Sequence, residues 1–71
     1  MEEVKELSIG EKRVRTAFNP SQDGIVDQIK QKTAELINLC ETLKERDGRL
    51  AATAQTAYED AAMWAVKAAT A

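Results

Sequence analysis

The residues best suited to chemistry in this chain lie between positions 12 and 30: Lys12, Arg13, Arg15, Phe18, Asn19, Ser21 and Lys30. No acid interrupts the run from Lys12 to Gln22. Cations and short polar donors are what a phosphate group needs, and a flat apolar ring is what a nucleobase stacks on. The stretch therefore holds the parts of a site for a small anionic ligand with an aromatic portion. The same residues have a plainer reading, in which a basic arm is simply solvated and Phe18 covers the end of a helical core. Residue chemistry alone leaves both open.

Other candidates are weaker. Glu59 and Asp60 are adjacent, but successive helical residues diverge by about 100°, so the two carboxylates do not face one substrate. Cys40 is the single cysteine of a chain without histidine, which removes the usual nucleophile pair and the usual structural metal sites. The three glycines are isolated and form no phosphate loop. The expectation is a protein that is not an enzyme and carries no metal and no cofactor. Trp64 and Tyr58 sit at helical spacing among alanines and read as packing residues. Lys67 and Thr70 can satisfy the last carbonyls of a helix, unless a neighbouring protomer brings them to the basic arm.

The elements that must position these residues are legible in the periodicity. Asn19-Pro20 breaks the chain, because proline disfavours helix at the residue before it. Asp23 then offers an N-cap for a helix over about 24–46. Val26, Ile29, Thr33, Leu36, Cys40 and Leu43 form its seam, with Ile25, Ile37 and Leu39 widening the stripe and Lys30 lying among the polar positions off it. Asp47-Gly48 reverses the chain, with Gly48 expected in the left-handed position that ends a helix. A second helix follows over about 49–70, with a seam of small residues at Leu50, Ala54, Ala57, Ala61, Trp64, Ala68 and Ala71. Residues 1–10 read as a separate N-terminal segment and 11–71 as the hairpin unit, its arm at 11–22. Ser8 and Glu11 have capping-box spacing, but Gly10 weakens the short helix they would start. The predicted fold is all-α: an antiparallel two-helix hairpin with a short basic N-terminal arm, assembling into a homo-oligomer.

Length and charge support assembly and narrow the partners. Seventy-one residues give a core only marginally able to offset the entropy of ordering the chain, and no disulfide or metal is expected to help. Apolar surface on Ile37, Leu39, Tyr58, Met63 and Val66 is left over for partner chains. A net charge of −2 argues against a coat for polymeric nucleic acid, which must neutralise many phosphates, but not against a small anion. No apolar run reaches the length of about 20 that spans a bilayer, and the acidic start lacks the order of a signal peptide. A soluble, cytosolic protein without membrane association is expected.

The run Arg13-Val14-Arg15 through Phe18-Asn19-Pro20-Ser21, the Ile29-Lys30 step, and Ala61-Ala62-Met63-Trp64-Ala65-Val66-Lys67-Ala68 together resemble the hairpin domain of phage proteins that counter the CBASS and Thoeris immune systems. The resemblance covers nearly the whole chain after Gly10. It implies a sponge that binds cyclic oligonucleotide messengers without cleaving them, acting in the host cytoplasm as an oligomer, commonly a hexamer, with ligand between protomers. Carried over residue by residue, it makes Phe18 the base stacker and Lys30 the phosphate cation, with Arg13, Arg15, Asn19, Pro20 and Ser21 around them. An ungapped match from Lys30 lands on Arg15 instead of Phe18, which would make the stacking group a guanidinium. The short chain favours cyclic dinucleotides such as 3′,3′-cyclic GMP-AMP over cyclic ADP-ribose isomers. Cyclic trinucleotides also belong to the family's range, with no residues assigned to them here. The contrasting expectation is a helical structural or protein-interaction module whose oligomer docks a partner protein.

Overall fold

The computed structural model describes residues 6–16 and 24–71. Three helices and one short tight turn account for these residues: α1 (Ile9–Val14), α2 (Gly24–Thr42), a 3₁₀ turn (Leu43–Glu45) and α3 (Gly48–Ala69). Helices α2 and α3 form the expected hairpin, and α1 packs mainly against α2. No strand occurs among the described residues.

The short helix α1 exists because its N-terminus is satisfied twice. Ser8 and Glu11 complete the capping box, the Glu11 amide donating to Ser8 Oγ at 3.2 Å and the Ser8 amide to Glu11 Oε1 at 2.9 Å. Asn38 of α2 then accepts from the Gly10 amide at 2.8 Å and donates to Ser8 Oγ at 3.0 Å. Gly10 suits this packing because a Cβ there would lie 2.7 Å from the Ala34 carbonyl carbon, closer than any side chain tolerates. The glycine that weakens the helix by propensity is what lets the helix dock. The helix crosses the boundary drawn at residue 10, so the first part of the arm is folded onto the hairpin.

Two features of the hairpin differ from the sequence reading. The chain reversal uses no left-handed glycine, since no described glycine has a positive φ. Instead α2 tightens into the 3₁₀ turn, with the Arg46 and Asp47 amides both donating to the Leu43 carbonyl, and Asp47 caps α3 through a 2.9 Å bond from the Leu50 amide. Gly48 is simply the first residue of α3. The expected Asp23 cap lies outside the described residues.

The second difference is the phase of the seams. The core consists of Val14, Ala34, Ile37 and Ala62, with Ile9 and Ile29 packed against it. On α2 the inward row is Val26, Lys30, Ala34, Ile37 and Cys40, so Ile37 is fully buried where it was expected to remain available to partners. Leu36 and Leu43, placed in the seam by periodicity, are exposed. On α3 the inward residues are Ala51, Gln55 and Ala62, while Leu50, Ala57, Ala61, Trp64 and Ala68 face outward. On α3 the expected seam is one residue out of phase, about 100° of helix, while on α2 Val26 and Cys40 lie inward as expected.

Candidate functional site: a cationic pocket between the three helices

Lys30 lies on the inward row of α2, only 6% exposed. A buried ammonium requires a polar partner, and the turn after α1 provides one. Arg15, the C-cap residue of α1, has left-handed backbone angles (φ 57°, ψ 55°), and its carbonyl accepts from Lys30 Nζ at 3.0 Å. Left-handed geometry is common at helix C-termini, but glycine usually occupies it. Burial pushes the Lys30 pKa below its ordinary 10.5, the Arg15 charge adds to that, and Asp27 opposes it.

Arg13, near the C-terminal end of α1, reaches across to α3. Its Nε donates to Glu59 Oε2 at 2.7 Å, and its two terminal nitrogens reach Thr56 Oγ1 at 3.2 Å and Gln55 Oε1 at 3.5 Å. Gln55 is fully buried and donates through Nε2 to the Ile37 carbonyl at 3.0 Å and to Glu41 Oε1 at 2.9 Å. That second bond is the main cause holding the Glu41 carboxyl below its usual range, with Lys44 contributing further.

Arg13, Val14, Arg15, Lys30, Glu59, Ala62, Met63 and Val66 line a half-open pocket of about 170 Å³. Three cations and one carboxylate share its walls, with Met63 and Val66 as an apolar side. Folding thus brings together Arg13, Arg15 and Lys30 of the sequence-chosen cluster, while Lys12 is exposed on α1. Phe18, Asn19, Pro20 and Ser21 lie outside the described residues. Lys67 and Thr70 do not line the cavity. Lys67 Nζ stands 5.4 Å from the Trp64 ring centroid, and Thr70 Oγ1 donates to the Val66 carbonyl at 2.9 Å. Gln55, Glu59 and Asn38 carry much of the construction, and sequence reasoning does not single them out as site residues. For Gln55 a signal exists once the phase of α3 is known: it sits at an inward register between Ala51 and Ala62.

The fold and pocket define a small helical binding protein with a recessed cationic site suited to an anionic group. The family described as Acb2/Tad1, hairpin domain, matches residues 10–70, and the chain belongs to that family, the anti-CBASS and anti-Thoeris sponges. Membership implies a phage anti-defence role through binding of cyclic oligonucleotides. Comparison with curated proteins and with solved structures gave no match.

Proposed function

We propose that the chain sequesters cyclic dinucleotide messengers of CBASS-type immunity in the host cytoplasm and does not cleave them. The observation that carries this reading is the Lys30 ammonium, buried beside Arg15 in a pocket that also holds Arg13. A phosphate entering there gains a charge-assisted bond from the Lys30 ammonium, which is already largely desolvated. A nucleotide base can stack on Phe18 or on the Arg15 guanidinium, and Asn19, Pro20 and Ser21 complete the set of residues assigned to the ligand.

The size of the pocket supports an assembled site. Small-molecule sites generally occupy about 300–1,000 Å³, so a cavity of about 170 Å³ accommodates a phosphate group but not a whole dinucleotide. The remainder of the ligand needs further contacts, which this reading assigns to Phe18, Asn19, Pro20 and Ser21 and to a second protomer. The outward row Leu50, Ala57, Ala61 and Trp64 offers a close-packing face for such a partner, and a closed homo-oligomer, up to a hexamer, would repeat the site by symmetry. Lys67 and Thr70 would then come from a neighbouring chain.

Isothermal titration with 3′,3′-cyclic GMP-AMP, other cyclic dinucleotides and a cyclic trinucleotide tests the reading, with Lys30→Ala and Phe18→Ala as controls. Binding strongly weakened but still measurable in Lys30→Ala, and ligand recovered intact after heating the complex, is the expected result. Failure of every cyclic dinucleotide to bind the wild-type protein would overturn it.

A further inference from the structure

Arg13 belongs by composition with the ligand-facing cations, yet its guanidinium is turned into α3. Each of its three nitrogens has an acceptor there, Glu59 at 2.7 Å, Thr56 at 3.2 Å and Gln55 at 3.5 Å. The charged contact to Glu59 is the shortest of these, and charge-assisted bonds of this length are the stronger kind. Gln55 is itself fixed to α2 through Ile37 and Glu41. Arg13 is thus held by a network that spans α1, α2 and α3.

Two residues further on, the carbonyl of Arg15 meets Lys30. Between them Val14 is buried in the core. The position of that carbonyl depends on where the C-terminal end of α1 is held, and a helix of six residues has little rigidity of its own. We infer that Glu59 and Gln55 are positioning residues for the anion site, acting through Arg13 to clamp the end of α1 so that the Arg15 carbonyl holds the Lys30 ammonium in the pocket. On this account Arg13 is a strut, and the ligand-facing charge belongs to Lys30 and Arg15. The inference rests on the sponge reading only for the identity of the ligand.

Two measurements separate the inference from that reading. In the free protein, the ¹³Cε signal of Lys30 is titrated in wild type, Glu59→Met, Glu59→Gln and Gln55→Met. Releasing the end of α1 exposes Lys30, and because burial is the leading cause of its lowered pKa, the midpoint should rise toward 10.5 in Glu59→Met. It should rise less in Glu59→Gln, which keeps an acceptor for Arg13. Backbone hydrogen exchange should quicken in α1 while α2 and α3 keep their protection.

In the second measurement, affinity for 3′,3′-cyclic GMP-AMP is read in a double-mutant cycle of Glu59→Met with Lys30→Met. Glu59→Met should weaken binding on the order of tenfold in the wild-type background and hardly at all in Lys30→Met, since coupled residues are not additive. A general loss of stability would give additive effects and is separated by that outcome. Unchanged Lys30 titration and unchanged α1 exchange in both Glu59→Met and Gln55→Met would overturn the inference, whether or not the ligand binds. Wild-type protein that binds no cyclic dinucleotide, with the Lys30 shift present, would overturn the sponge reading and leave the positioning role standing.

Discussion

The two faces of α3 make opposite use of their residues. The inward face contains Gln55, fully buried, between the small residues Ala51 and Ala62. The outward face contains Leu50 and Trp64, each more than 60% exposed. Hydropathy alone would assign them the other way. The inward face wins because its polar member is satisfied throughout: Gln55 bonds the Ile37 carbonyl, Glu41 and Arg13, and no buried side-chain nitrogen or oxygen among the described residues lacks a partner. Alanines beside it let α2 approach closely. The outward face keeps its apolar area, and in the proposed assembly that area is what a second protomer covers.

The largest test carries this contrast to α2, removing core volume from its inward face and surface volume from its outward one. Ile37, wholly buried in the core, should cost about 2–5 kcal/mol on truncation to alanine. Leu39→Ala, at a position 63% exposed, should cost within about 0.5 kcal/mol in the isolated chain. Urea unfolding of both variants at low protein concentration checks the pair. A Leu39 cost equal to that of Ile37 would mean that the outward face of α2 is already covered at that concentration.

Next in size is Gly10→Ala. The new methyl would collide with the Ala34 backbone, which has no side chain to move aside, so α1 must lift from α2 at a cost of about 1–3 kcal/mol. Gly24→Ala meets nothing within 4 Å and should instead stabilise the start of α2 by roughly 0.4–1 kcal/mol. Hydrogen exchange resolved by segment distinguishes them, with α1 alone losing protection in the first.

A smaller effect on the fold, with a larger one on assembly, is expected at Trp64. The ring is 61% exposed and carries Lys67 above it. Trp64→Ala should leave the unfolding free energy of the dilute chain within about 0.5 kcal/mol while reducing the sedimentation coefficient at high concentration. An oligomer that survives intact would place the protomer interface on another face.

The hairpin is legible in the sequence because three-four spacing and Asp47-Gly48 are local signals. The capping box at Ser8 and Glu11 is legible too, but whether it starts a helix turns on Gly10, whose purpose emerges only when Ala34 lies opposite. Phase is not legible. A helix with alanine on several faces carries nearly equal apolar rows, and the choice between them is made by partners far along the chain, such as Ile37 and Arg13 for Gln55. For the same reason Arg13, Arg15 and Lys30 are recognisable as a cationic group, while the division of labour among them is not. It depends on Glu59, forty-six residues from Arg13.

Lys30 supplies the finest test, since with Gln55 it is one of the two polar side chains buried among the described residues. Its folded pKa is lowered from 10.5 by burial first, then by Arg15, against the opposing pull of Asp27. Between the folded and unfolded values the unfolded chain holds more protons, so stability rises with pH across that interval. The cost of the buried ammonium is therefore fully present below the folded pKa and disappears as pH approaches 10.5. Urea unfolding from neutral to alkaline pH should show this rise in wild type relative to Lys30→Met, the difference cancelling the titration of the other groups. Equal pH dependence in the two proteins would mean that the free chain relieves Lys30 by opening the end of α1.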